Sequence, residues 1–276
     1  MKDTIIKKLA CPVCTSRDKS DNHLSAAADT KDGKPPILFC DNCKSRFTSI
    51  DGILNLASEV EAPKLFSSQW AMEFEPLVAA YDNIWRPTIT YFVCDLKWEM
   101  EMSLQLMNLS SGMDVLDLAC GTGNFTQLFS DPAKPGVIIG VDLSLPMLKQ
   151  GMRKLKEQKN TNIMLMRVDV TKWPFAPETF DRIHCAGALH LFPDIQSVFI
   201  SIYRSLKKGG YFVGATYCRG GDFTTQMLQK IASNGQWIHW FDQQELQKLS
   251  TKAGFVNWEE RTFKQGIVFR VQKNGG

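Results

Sequence analysis

VLDLACGTGNF, residues 115–125, runs from an apolar stretch into a loop whose Gly121 and Gly123 precede a helix-like segment, GNFTQLF. Glycines at a strand-to-helix turn let the backbone bend sharply and let a ligand approach with no Cβ in the way. Outward from this stretch, GVIIGVDLS (136–144) reads as a second strand and LPMLKQGMRKLKEQK (145–159) as an amphipathic helix. IMLMRVDV (163–170), FDRIHCAGAL (180–189) and YFVGATYC (211–218) read as further strands, with SVFISIYRSLKKGG (197–210) as the helix before the last. The alternation predicts an α/β fold: a doubly wound, Rossmann-like, mainly parallel sheet that binds its ligand at the carboxyl ends of the strands. DQQELQKLSTKAGF then reads as a helix, and VNWEERTF with GIVFRVQK as an antiparallel edge hairpin.

Asp142 closes the second strand, where a carboxylate can accept hydrogen bonds from both hydroxyls of a ribose. A dinucleotide fingerprint would put a third glycine where Thr126 stands. Asp117, just before the loop, would repel a pyrophosphate and suits a cationic amine, such as the amino group in the methionine moiety of S-adenosylmethionine. The pattern therefore favours a nucleoside over NAD.

Taken together, VLDLACGTGNF, GVDLSLPML, RVDVTKWPF, FDRIHCAGALHLFPD and YRSLKKGGYFV resemble class I S-adenosylmethionine-dependent methyltransferases in five consecutive motifs over residues 113–217. With the CPVC and CDNC leader, the whole chain is similar to a group of little-characterised plastid and bacterial methyltransferases. In domain order it is also similar to zinc-ribbon ribosomal RNA guanine methyltransferases. The resemblance implies Asp117 at the methionine end, the backbone from Ala119 through Gly121 to Gly123 at the cofactor's close approach, and Asp142 at the ribose. It implies Leu143 and Met147 beside the adenine, Asp169 accepting from its exocyclic amine with the Val170 amide nearby, and Ala186 and Gly187 on the cofactor side of the fourth strand. Ala119 stands where many members have glycine. Asp181, which opens the fourth strand, reads as structural.

At the amino end, Cys11-Pro-Val-Cys14 and Cys40-Asp-Asn-Cys43 form two knuckles with 25 residues between them. Four thiolates from two tight turns close a tetrahedral zinc site with no open position, so the metal expected here is structural. The segment around them is polar, including KDGKPP (31–36), and a core-poor module of this size needs a staple. The other cysteines, Cys94, Cys120, Cys185 and Cys218, lie singly in apolar segments and read as buried thiols. The expected organisation is a zinc-ribbon module over 1–60, a helical segment covering the cofactor cleft over 61–112, and the methyltransferase domain over 113–276. FTSIDGILNL (47–56) is counted with the ribbon as its last strand and turn. The covering segment carries aromatics at Phe66, Trp70, Phe74, Tyr81, Trp85, Tyr91, Phe92 and Trp98.

The formal net charge of +3, from 32 basic and 29 acidic residues, is too small to imply nucleic-acid binding by itself. Residues 1–60 hold nine basic against eight acidic side chains, where an RNA-gripping module would be clearly basic. No 18-residue apolar run or secretory leader stands out, so a cytoplasmic protein with no membrane partner is expected. For chemistry the candidates are His190 in the loop AGALHLFPD, His239 in WIHWF, and Tyr81 in the covering segment; His184, inside a strand, reads as core. Phe223, Trp237, Trp240 and Phe241 suggest an aromatic roof over a flat or apolar acceptor.

The favoured function is O-methylation of a small, largely apolar hydroxyl compound in secondary, natural-product metabolism. The alternatives are a ribosomal RNA base N-methyltransferase that uses the ribbon to hold RNA, and a non-enzymatic cofactor-binding assembly protein. The sequence leaves the oligomeric state open.

Overall fold

A computed structural model describes residues 5–15, 23–26, 37–57, 68–158, 161–220 and 239–275. KDGKPP, Phe66, Phe223 and Trp237 lie outside the described residues.

Three short strands, β1 (Leu24–Ala26), β2 (Leu38–Cys40) and β3 (Arg46–Phe47), make an antiparallel sheet beside the cysteine knuckles. The remaining strands join one nine-stranded sheet. They are β4 (Ser49–Ile50), β5 (Ile53–Asn55), β6 (Val115–Leu118), β7 (Ile138–Asp142), β8 (Ile163–Arg167), β9 (Phe180–Ala186), β10 (Leu206–Tyr217), β11 (Phe255–Phe263) and β12 (Gly266–Lys273). The order is β11-β12-β10-β9-β6-β7-β8-β5-β4, parallel from β10 through β5, with the antiparallel β11–β12 hairpin at one edge. All four residues of β6 are buried, as expected for a strand covered on both faces. The fold is the expected Rossmann-like methyltransferase sheet.

Two boundaries differ from the sequence reading. The helix expected to run through SLKKGG ends at Ser205, and β10 begins at once at Leu206. Between its two pairings with β9 the register shifts, and Gly209 takes the left-handed φ of 74° that the irregularity needs.

The second difference concerns FTSIDGILNL. Asp51 and Gly52 both have positive φ, the mark of a tight hairpin turn, and the outgoing strand β5 lies parallel to β8 in the nine-stranded sheet. Ile53, Leu54 and Leu56 are 0–3% exposed, a two-sided burial that a core-poor ribbon could not supply. Pairing also covers the edge of β8 that would otherwise be open. A boundary at residue 60 therefore cuts after a segment that packs as part of the large sheet.

The amino-terminal cysteine module is not core-poor in its setting. Ile5, Leu9, Leu38 and Phe47 are buried in one cluster with Trp173, Phe175 and Phe180, which flank the large sheet's strand β9 or belong to it. Ala10 N–H donates to the Pro174 carbonyl, Ala176 N–H to the Lys8 carbonyl, and Lys8 pairs with Asp114 at 2.5 Å.

Candidate functional site

The covering segment is helical as expected: Ser68–Glu73, Glu75–Ala80, a π-helical turn Tyr81–Trp85, Arg86–Val93 and Leu96–Met107. The π turn lies directly over the glycine loop, because Asp82 in it holds that loop. Its Oδ1 accepts from Thr122 Oγ1 at 2.6 Å and Asn124 Nδ2 at 2.8 Å. Its Oδ2 accepts from Gln150 Nε2 at 3.0 Å and pairs with Lys154 Nζ at 2.7 Å. Burial opposes the charge of Asp82, yet Lys154, Thr122 and Asn124 together hold its carboxyl below the ordinary range.

Beneath this latch, Ala119, Gly121 and Gly123 have φ of 51°, 55° and 78°. A Cβ added at Gly121 would meet nothing within 4 Å, so its backbone faces open space. Asp142 fixes the loop, with Oδ2 accepting from Gly121 N–H at 2.8 Å and Oδ1 from Ser144 N–H at 2.9 Å. Burial raises the Asp142 pKa, partly opposed by these amides. Ala119 bears the steric cost of the left-handed region, about 1–2 kcal/mol for an L-residue. Ala119→Gly removes that cost but adds roughly 0.5–1 kcal/mol of unfolded-chain entropy. The variant should therefore unfold in urea with a stability equal to the parent's or up to about 1.5 kcal/mol higher; a stability below the parent's would mean the Ala119 methyl is needed for packing.

A narrow cleft is lined by Tyr81, Arg86, Leu96, Met100, Asp117 and Ala119–Thr122, with Asn124, Phe125 and Ala186. Of the expected cofactor residues, the structure thus brings together Asp117, Ala119, Gly121 and Ala186 on the cleft wall, with Asp142 bonded to Gly121. Leu143 follows Asp142, its carbonyl accepting from Arg167 Nε, and Met147 is buried at the start of the helix Leu145–Gln158. Asp169 Oδ1 accepts from the Thr171 amide at 3.0 Å and from its hydroxyl at 2.7 Å. Val170, next to it, is half-buried.

Asp117 is not a free carboxylate. It is 2% exposed, with Oδ1 2.8 Å from His184 Nδ1 and Oδ2 accepting from Thr126 Oγ1 at 2.5 Å. His184 is core, as expected, between Phe125 and Phe129 at ring separations of 4.7 and 4.9 Å.

The three catalytic candidates part company. Tyr81 lines the cleft, and burial raises its pKa. His190 sits with its ring 5.6 Å from Tyr217, and burial pushes its pKa down to about 4, with Arg86 and His239 adding to the shift. It therefore stays uncharged near neutral pH, where an ordinary histidine titrates. His239 turns away, about half exposed and 3.0 Å from Glu245 Oε1. Of the aromatics expected to roof the acceptor, Trp240 and Phe241 are buried, 7% and 1% exposed, and Trp240 packs beside Tyr217.

Sequence reasoning missed Asp82, Arg86, Glu99 and Tyr217. Arg86 donates through Nη2 to both Glu99 oxygens at 2.8 and 2.7 Å and through Nη1 to the Tyr217 hydroxyl at 2.6 Å. The charged residues inside an otherwise aromatic covering segment were the available signal.

At the other end of the chain, the four Sγ atoms of Cys11, Cys14, Cys40 and Cys43 lie within 4.8 Å of one another, with closest pairs at 3.6 Å. Zinc–sulfur bonds of about 2.3 Å at tetrahedral angles put sulfurs roughly 3.8 Å apart, so the donor set fits a zinc ion.

Residues 115–210 match the methyltransferase domain family. Over this stretch the chain is similar to methyltransferase domains. The domain and its flanks are 25% identical, over 96% of the chain and 77% of the relative, to a chloroplastic uncharacterised methyltransferase of Arabidopsis thaliana. Over half of the chain and 57% of the relative, the match to a demethylmenaquinone methyltransferase of Listeria welshimeri reaches 33% identity. The methyltransferase fold also overlays phosphoethanolamine N-methyltransferase 2 of Haemonchus contortus, solved with S-adenosyl-L-methionine, at a TM-score of 0.61, 16% identity, 75% of this chain and 58% of that one.

Proposed function

We propose that this protein transfers a methyl group from S-adenosylmethionine to a hydroxyl of a small, largely apolar molecule. The observation that carries the reading is the Asp142 carboxylate bonded to the Gly121 amide at the carboxyl end of adjacent parallel strands β6 and β7, beside a cleft that an apolar wall completes. In this reading Asp142 serves the ribose, Leu143 and Met147 flank the adenine, and Asp169 and the Val170 amide meet its edge. The Ala119–Gly123 backbone takes the methionine end. Bound there, the cofactor supplies a methyl carbon already made electrophilic by its sulfonium; the chain's task is to exclude water and hold the acceptor in line. Leu96, Met100 and Phe125 supply an apolar wall for this, and Tyr81 covers the loop. The demethylmenaquinone methyltransferase match, limited to half the chain, adds weight to a ring-bearing apolar acceptor.

His190 would accept or orient the acceptor's proton. With a pKa of about 4 it is neutral and competent throughout pH 6–8, and it is lost as a base only as pH falls toward 4. The pH–rate profile should therefore show no His190 limb near neutrality; a limb at pH 6–7 that disappears in His190→Ala would overturn the environment described above.

The ribbon, in this reading, is a structural zinc site that supports the catalytic half. Its packing against Trp173 and Phe175 and its near-balanced charge do not favour an RNA-gripping arm. A non-enzymatic assembly role has no observation in its favour. A cytoplasmic location stays part of the proposal; among the described residues no helix is long and apolar enough to cross a membrane.

Titration calorimetry with S-adenosylmethionine tests the cofactor half. Asp142→Ala should weaken binding about ten-fold to a hundred-fold, since charge-assisted hydrogen bonds are lost; unchanged affinity would mean the ribose lies elsewhere.

A further inference from the structure

Arg86, which lines the cleft, is bonded to Tyr217, and several buried polar groups gather around that tyrosine. The Arg86 guanidinium reaches this region past Gly187, where an added Cβ would stand 3.1 Å from both terminal guanidinium nitrogens. Glu99, 3% exposed in its side chain, neutralises and fixes Arg86, leaving Nη1 to donate to the Tyr217 hydroxyl. Because that oxygen accepts from Arg86, its own proton is free to donate elsewhere. Two rings flank Tyr217: His190 at 5.6 Å and Trp240 at 6.2 Å between centroids. His190 Nδ1 and Trp240 Nε1 are both buried and have no hydrogen-bond partner among the described residues.

A buried polar atom without a partner costs about 1–3 kcal/mol, so two of them beside a third group with a proton to give mark a place built for a polar ligand atom. The chemistry of the three groups narrows that atom. Trp240 can only donate, Tyr217 has a proton to donate, and a neutral His190 can accept through Nδ1 in one tautomer. A ligand hydroxyl satisfies the set, since its oxygen accepts and its hydrogen donates. The flanking aromatic faces of His190, Tyr217 and Trp240 suit a planar ring bearing that hydroxyl.

We propose that Tyr217, Trp240 and His190 form the acceptor subsite, that it selects hydroxyaryl compounds of the phenol or quinol class, and that Arg86 and Glu99 are positioning residues that aim the Tyr217 proton. The proposal rests on reading the adjoining cleft as the S-adenosylmethionine site.

The test uses the full chain with S-adenosylhomocysteine present, and 2-naphthol and naphthalene as the probes, followed by quenching of tryptophan fluorescence. Wild-type protein should bind 2-naphthol at least about ten-fold more tightly than naphthalene, the factor that one well-made buried hydrogen bond supports. Tyr217→Phe should reduce that preference to about three-fold or less while S-adenosylhomocysteine affinity, measured separately by calorimetry, changes by less than about two-fold. Trp240→Phe provides the same readout should Tyr217→Phe fail to fold. Equal affinity for the two probes in the wild type, or an unchanged preference in both variants, overturns the subsite. Failure of the wild type to bind S-adenosylhomocysteine at all would instead strike the cofactor reading beneath it.

Discussion

Freshly purified protein should contain about one equivalent of zinc, and stripping it or replacing Cys40 by serine should collapse the stability of more than the ribbon. Structural zinc in small modules contributes about 10–16 kcal/mol of apparent binding free energy at neutral pH, and folding of such modules is coupled to it. In this chain the loss would spread. Cys11, Cys14 and Cys40 belong to the same buried cluster as Trp173, Phe175 and Phe180, so a loosened ribbon uncovers apolar surface of the catalytic half. It also releases restraint on the β4–β5 hairpin, whose pairing covers the edge of β8. An exposed parallel edge is a template for association. The expected result is a melting temperature lowered by well over ten degrees, with aggregation, on chelation; each kcal/mol moves a domain of this size by about 2–4 °C. A chelated protein that melts within a few degrees of the untreated one would show that packing, and not the metal, holds the module.

Asp117→Ala should cost about 3–5 kcal/mol of folding stability, because it strands two buried partners at once and each loses about 1–3 kcal/mol, with a small cavity added. His184 is 0% exposed and keeps only Asp117 as a partner, its Nε2 having none among the described residues; Thr126, also 0% exposed, gives its hydroxyl proton to the same carboxylate. Urea unfolding would measure the cost. Asp117→Asn, which keeps an oxygen for Thr126, should lose roughly half as much. A loss below about 1 kcal/mol together with abolished S-adenosylmethionine binding would return Asp117 to the role of a direct cofactor contact.

How far the sequence carried depends on how local each signal is. Strands β6 to β9 and the glycine loop were legible because period, apolarity and turn chemistry act over a few residues. The four cysteines were legible because a CxxC knuckle is built by its own turn. Asp142 was legible because its position at a strand end determines what it can face.

What the sequence left open needed two distant segments to meet. Asp82 looks like any helical carboxylate until the fold sets it against Thr122, Asn124 and Lys154, 40 residues and more away. Arg86, Glu99 and Tyr217 become one network only when the covering helices cross β10. His190 carries an ordinary histidine's promise of neutral titration until burial beside Arg86 removes it. His184 gives Asp117, on the cleft wall, a buried partner that no local pattern announced. The amino-acid sequence by itself determined the sheet, the loop and the four-cysteine cluster, because their causes are local. Only the tertiary structure decided which charges are paired, which are buried and which polar atoms remain for a ligand, because desolvation and partner choice depend on what the rest of the chain packs against them.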